Sequence, residues 1–356
     1  MAPFLHMKNA AINKVRRELS RQKLDALLVS KEANVSYLSS FAGEGNLLIT
    51  PTKKILLVDF RFKEQAEKEA RLFQIYHRRA FEPLEDSLAI LVKKLKLKRV
   101  GFESAWLSLA SYRRLKKAVG KVKLTPTANI VEHLRAIKTL EEIKLLRKAA
   151  ALAVKSLEFA RKLIKPGKTE QEIAREVQYF MHKSGAETCA FEVIVASGKR
   201  SSLPHGPTSR KIIKKNEAVL VDLGCRFSGY NSDLTRMVFL GRIRGKLKRV
   251  YEVVLEAQQQ AIQAVRAGER ASGIDKVARQ YITQTGLGAF FGHALGHGLG
   301  REVHEYPLIC PKNHQILQEG MVFTVEPGVY IPGFGGVRIE DMVLVTKTGC
   351  EILTDD

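Results

Sequence analysis

The sequence predicts an α/β protein of two domains, and three observations carry that reading. Short apolar runs alternate with helical patterns through the first third of the chain. A breaker interrupts them near residue 126. Beyond it, long amphipathic helices alternate with pairs of strands centred on glycine-rich turns.

In the first domain, residues 1–127, the runs at 25–30, 47–50, 55–60 and 99–103 have the length and apolar content of buried strands. Residues 11–22 and 111–119 carry the spacing of amphipathic helices. Thr125, Pro126 and Thr127 form the breaker, because proline has no backbone N–H to give. The second domain, residues 128–356, opens with a long amphipathic helix over 139–164, which Pro166 and Gly167 close. Residues 170–184 and 249–267 supply further helices, and no short-period repeat or low-complexity tract interrupts the pattern.

With 45% apolar residues, a chain of 356 residues can fill two packed cores. No apolar run approaches the roughly 18 residues of a membrane-spanning helix, so no membrane partner is expected. The first ten residues lack a signal peptide's apolar stretch, and Met7 is a second candidate start. Cys189, Cys225, Cys310 and Cys350 are far apart with no CxxC pair, which fits thiols in a reducing cytoplasm. The expected location is therefore cytoplasmic.

The net charge of +22 is unevenly spread. Residues 1–139 hold 28 Lys and Arg against 13 Asp and Glu, while the remainder holds 31 against 24. Such a basic surface can attract nucleic acid. No aromatic interleaving or nucleic-acid motif accompanies it, so a solvated basic face is expected and nucleic acid is not.

The second domain concentrates the chemistry. In residues 219–239 two β-favouring stretches flank a turn-rich centre, Ser228 to Asn231, with Asp222 and Asp233 on either side. An antiparallel hairpin brings the two aspartates near each other, since cross-strand neighbours on one face lie about 4.5–5.5 Å apart. Residues 322–345 repeat the device, with Glu326 and Glu340 equally far from Gly333 in a Pro-Gly-Phe-Gly-Gly turn. Between the hairpins, residues 291–307 set His293, His297 and His304 among four glycines. That composition disfavours a helix with an HExxH zinc site and favours close backbone approach. His205, in a Ser-Leu-Pro-His-Gly segment, adds another imidazole.

Buried carboxylates repel one another unless cations hold them together. Convergence of Asp222, Asp233, His297, Glu326 and Glu340 therefore implies a metal centre. Hard oxygen donors with one imidazole suit Mn, Co, Fe or Zn. Two such ions about 3.5–4 Å apart can share a water, lower its pKa toward about 7 and polarise a carbonyl, which is the chemistry of amide hydrolysis.

The stretches VDLG, GYNSDLTR, GHALGHGLGREVHEYP, TVEPGVYIPGFGG and VRIED, preceded by ASGKRSSLPHG, resemble the motifs of the creatinase/aminopeptidase superfamily. These are the pita-bread metallopeptidases, and the likeness is to the branch of aminopeptidase P and prolidase. It covers about residues 130–356, and more loosely the N-terminal part. The resemblance implies an N-terminal creatinase-like α/β domain followed by a C-terminal pita-bread domain, α+β with a pseudo-two-fold antiparallel sheet. It implies two divalent metal ions, manganese first and Co, Zn or Fe as alternatives. Asp233 and Glu340 would bridge them, Asp222 would complete one site, and His297 and Glu326 the other. Glu326 would also be the proton shuttle. His304 would steady the carbonyl oxygen, His205 would contact the substrate beside the scissile bond, and His293 would line its proline side. Arg338 and Tyr330 match a pair that orients Asp222, as ligands require.

The implied reaction cleaves the bond between an N-terminal residue and proline in short proline-containing peptides, by an aminopeptidase P or a prolidase (Xaa-Pro dipeptidase). The implied assembly is a homodimer. An Xaa-Pro bond is a tertiary amide without an N–H, so peptidases that grip that group lose a contact there. The alternative reading is a catalytically inactive pita-bread protein that binds nucleic acid or ribosome through the basic N-terminal domain. The intact ligand set argues against it and against metal-free creatinase chemistry. The large N-terminal domain argues against a methionine aminopeptidase.

Overall fold

This computed structural model describes residues 2–79 and 81–356, with side chains from residue 9 onward, in two units, Met1–Arg135 and Ala136–Asp356. In the first unit the strands are β1 (Ala26–Val29), β2 (Asn46–Ile49), β3 (Lys54–Val58), β4 (Gln74–His77), β5 (Arg99–Glu103) and β6 (Lys123–Thr127). They lie in the order β4-β3-β2-β1-β5-β6. β2 is antiparallel to both neighbours, and the other pairings are parallel. The helices are α1 (Ala2–Arg21), α2 (Glu32–Ser39), α3 (Lys63–Glu69), α4 (Leu84–Lys94), α5 (Leu109–Val119) and α6 (Ile130–Ala136).

The strands read as continuous apolar runs because both sheet faces are covered. Leu27, Val29, Leu47 and Ile49 pack with Ile12, Val15 and Leu19 of α1. Their alternates Ala26, Leu28 and Leu48 pack with Leu88 and Leu91 of α4 and Leu115 of α5. All four expected strands form. Pro126, read as a breaker, lies in β6 at the sheet edge, where a missing N–H is tolerated.

In the second unit the expected helix over 139–164 is α7 (Leu140–Leu163), started by a capping box of Thr139 and Glu142. α8 (Glu170–Lys183) starts the same way on Thr169 and Glu172. There follow β7 (Thr188–Cys189), β8 (Ile194–Ser197), β9 (Ala218–Leu223), β10 (Cys225–Phe227), β11 (Tyr230–Asn231) and β12 (Leu234–Phe239). A second helix pair, α9 (Gly245–Ala264) and α10 (Ala271–Gln284), precedes β13 (Gly296–Gly298), β14 (Glu305–Ile309) and β15 (Val322–Val325). The chain ends with β16 (Gly328–Ile331), β17 (Gly335–Arg338), β18 (Asp341–Val345) and β19 (Cys350–Ile352).

Two helices followed by antiparallel strands thus occur twice, giving the sheets β12-β9-β8 and β14-β13-β15-β18-β19. Thr169 and Arg270, each just before the second helix of its half, make matching isolated bridges to Ile212 and Ile316. That repetition is the pseudo-two-fold character of the unit.

The two hairpins differ in how closely they follow the sequence reading. In the second, Val325 faces Asp341 and Gly328 faces Arg338, so Glu326 stands opposite Glu340 as expected. Pro332 and Gly333 (φ 72°) turn it, with Phe334 N donating to Ile331 O, the pattern of a type II turn. In the first, Thr235 and not Asp233 faces Asp222. The register continues through Arg226–Asn231 and Phe227–Tyr230, leaving only Ser228 and Gly229 in the turn. Both have positive φ, 49° and 75°, as a type I′ loop demands. The true centre lies one residue later than expected, and the two aspartates sit diagonally on one face.

Candidate metal centre

Asp222 comes from the end of β9, Asp233 from just before β12, and His297 from the middle of β13. Glu326, just after β15, and Glu340, just before β18, face each other at one end of the β15–β18 ladder. All five line one cavity of about 450 Å³, as do His205, His304 and Arg338. One donor atom each from Asp233, His297 and Glu340 lies within 4.8 Å of the others. His297 Nε2 is 3.3 Å from Glu326 Oε1 and 3.7 Å from Asp233 Oδ2.

The glycines around His297 permit this convergence. A Cβ on Gly296 would stand 1.8 Å from Thr324 O, and one on Gly298 would stand 2.1 Å from Tyr306 O. Only glycine lets β13 lie so close to both neighbours. Thr324 also fixes two of the candidate ligands, because its Oγ1 accepts from His297 N (3.1 Å) and donates to Glu326 Oε1 (3.1 Å).

Burial, then the charges of Glu340, Asp222 and Glu326, pushes the Asp233 carboxyl well above its ordinary pKa. Burial and the neighbouring carboxylates do the same to Glu340. Asp222 is raised by burial against the pull of Arg338. Glu326 goes the other way: burial would raise it, but the hydrogen bond and charge of His297 hold it below the usual range. His297 is correspondingly raised, its burial outweighed by Glu326. Asp222 Oδ1 is buried with no hydrogen-bond partner. Mutually repelling carboxylates and an orphaned buried oxygen are satisfied together by positive charge, so this donor set fits divalent cations.

Arg338, buried, is the hub behind the ligands. Nη2 donates to Asp222 Oδ2 (2.5 Å), and Nη1 donates to the Tyr330 hydroxyl (3.0 Å) and to Pro204 O (3.1 Å). Nε donates to Thr235 Oγ1 (3.0 Å), which donates in turn to Glu340 Oε2 (2.6 Å). Sequence reading missed Thr235 and Thr324. Their signal was only that each lies within two residues of a ligand on an alternating strand.

His304 meets His297 edge-on, with ring centroids 4.2 Å apart, and burial lowers its pKa. His293 lies one bond further out, its Nε2 3.2 Å from the Tyr330 hydroxyl and its ring edge-on to Phe291. Phe191, Ile194, Pro207 and Val303 are apolar residues lining the same cavity.

Residues 144–347 match metallopeptidase family M24, and residues 12–137 match the creatinase/prolidase N-terminal domain. The chain belongs to metallopeptidase family M24. It is thus a hydrolase of a family that uses divalent metals, built as a creatinase-like N-terminal domain and a pita-bread domain. Among relatives of this M24 chain, an Xaa-Pro dipeptidase of Pyrococcus horikoshii is 38% identical over 353 residues, 98% of each chain. The structure of an Xaa-Pro dipeptidase from Bacillus anthracis matches with a TM-score of 0.94 at 40% identity, covering 98% of each chain. That of an X-Pro aminopeptidase from Thermotoga maritima matches at 0.87 and 38% identity, covering 94% of this chain and 96% of the other. No helix among the described residues is long and apolar enough to cross a membrane.

Proposed function

We propose that this M24 chain hydrolyses the bond between an N-terminal residue and proline, with Xaa-Pro dipeptides as its substrates. The observation that carries this is the gathering of Asp222, Asp233, His297, Glu326 and Glu340 on the wall of one cavity. These residues would hold two divalent cations, manganese first, with Asp233 and Glu340 shared between them. Bound there, the cations would acidify an attacking water and polarise the scissile carbonyl.

The chain's own groups supply the rest. Glu326 takes the proton of the attacking water. The leaving proline nitrogen belonged to a tertiary amide and must gain a proton to depart, and Glu326 returns it there. His304, kept neutral by burial, donates a hydrogen bond to the carbonyl oxygen as charge builds on it. His205 contacts the substrate beside the scissile bond. Arg338 holds Asp222 directly and Glu340 through Thr235, so both keep their orientation as charge shifts. The apolar lining residues Phe191, Ile194, Pro207 and Val303 suit a pyrrolidine ring, and His293 backs the proline side through Tyr330. A cytoplasmic homodimer completes the proposal.

The dipeptide is favoured by the names of the full-length relatives from P. horikoshii and B. anthracis. Cleavage of longer Xaa-Pro peptides is the second reading, favoured by likeness to the T. maritima aminopeptidase. A manganese-supplemented assay of Ala-Pro, Ala-Pro-Ala and Ala-Ala tests both. The proposal expects turnover of Ala-Pro and none of Ala-Ala. Strong cleavage of the tripeptide would move the assignment to the second reading, and inertness toward both proline peptides would refute each.

A further inference from the structure

The segment that carries His205 has little regular structure of its own. Between β8 and β9 the chain makes a short 3₁₀ turn, Gly198–Ser202, then runs irregularly for most of its length to residue 217. A side chain that must meet substrate with sub-ångström consistency needs a rigid support.

One carboxylate fastens both ends of this loop. Glu170, the first residue of α8, is wholly buried. It accepts from Ser197 N (2.7 Å), Ser197 Oγ (2.8 Å) and Arg200 Nε (3.0 Å), upstream of His205. It also accepts from Ser209 N (3.2 Å) and Ser209 Oγ (2.6 Å), downstream of it. Arg200 Nη2 donates to Pro207 O as well, bracing the loop across its width. On the other side, Gly336 N donates to Ser201 Oγ (2.8 Å) and Arg338 Nη1 to Pro204 O (3.1 Å), which ties the loop to the hairpin between Glu326 and Glu340.

We propose that Glu170 is a positioning residue for His205, a clamp that sets the loop at the substrate's edge of the cavity. All five groups that face Glu170 act as donors, so the position calls for an ionised, acceptor-only side chain. The Arg200 guanidinium supplies the countercharge a buried carboxylate requires. Glutamine keeps one acceptor oxygen but turns an NH₂ toward donors and loses the charge, so it restores only part of the clamp. Alanine removes all five bonds and leaves the loop its links to the hairpin and those through Thr208, Ser209 and Lys211 to β8 and α8. The Glu170 carboxylate bonds Ser197, Arg200 and Ser209 and none of the five proposed ligands, so its loss should leave the metal centre intact.

This inference rests on the reading that His205 contacts substrate, and the experiment separates the two. E170A, E170Q, H205A and E170A/H205A are compared with wild type for Ala-Pro hydrolysis, manganese stoichiometry, and amide hydrogen exchange over residues 198–208. E170A should raise KM about tenfold, and E170Q by less. Loss of folded protein would lower kcat but leave KM alone. Both variants should keep the wild-type manganese stoichiometry and exchange faster across 198–208. The double variant should be little worse than H205A, because one residue acts through the other. An E170A protein with wild-type KM and unchanged exchange, or losses that multiply in the double variant, would overturn the proposal. Wild-type kinetics in H205A would instead overturn the role given to His205, while the exchange data still decide whether Glu170 holds the loop.

Discussion

Without metal, the five proposed ligands are a pH-dependent liability, and the cluster's own electrostatics give the slope. In the unfolded chain Asp and Glu titrate near about 3.9 and 4.3. In the folded, metal-free protein Asp233 and Glu340 titrate well above that, through burial and mutual repulsion. Between those limits the folded state keeps protons that the unfolded state has released. The stability that these two groups contribute is therefore full at low pH and is lost as pH rises. Each such proton is worth about 1.4 kcal/mol per pH unit, so the pair sets a slope of about 2.7 kcal/mol per unit. Asp222 and His297, both raised, act in the same direction. Glu326 is lowered, so its opposing contribution falls only below about pH 4.3 and does not enter the window. The assay is urea unfolding of chelator-treated protein at several values above about pH 5. Wild type should lose stability steeply, E340Q less steeply, and manganese-loaded protein hardly at all. A flat or rising profile in the chelated protein, or an unchanged slope in E340Q, would refute the reasoning.

Other substitutions test the supports. G296A puts a Cβ 1.8 Å from Thr324 O, a backbone atom that cannot give way without moving β15. Thermal unfolding should show a loss near about 3 kcal/mol, the upper end for overpacking. K138M removes the cation that lies 2.8 Å from the Glu305 carboxylate, with both side chains nearly inaccessible. It should cost about 3–5 kcal/mol in urea unfolding, and K138M/E305Q should recover part of that. R338K cannot serve Asp222, Tyr330, Pro204 and Thr235 at once, so calorimetry should show manganese affinity lowered about 10–100-fold.

The legibility of the sequence varied with the range of the forces involved. α7 and α8 were readable to within a residue because their starts are local, each a Thr with a Glu three residues on. The second hairpin was readable in register, since Pro332 and Gly333 determine a type II turn by themselves. The first was displaced by one residue because facing aspartates put its axis between Phe227 and Ser228, whereas the type I′ loop sets it between Ser228 and Gly229. The edge strands β4 and β6 escaped notice, one half-exposed and polar and the other containing Pro126. Around the centre, ligand-type residues stood out by chemistry, whereas Thr235, Thr324 and Glu170 did not. Their roles come from partners up to 105 residues away, and no local pattern records such contacts.

Metal stoichiometry measured alongside turnover tests the central claim most directly. Protein dialysed against manganese and freed of excess should carry two ions per wild-type chain and hydrolyse Ala-Pro, and chelation should abolish turnover until manganese is restored. D233A should hold fewer ions and show no turnover. Full hydrolysis by chelated wild type, or by D233A, would contradict the account.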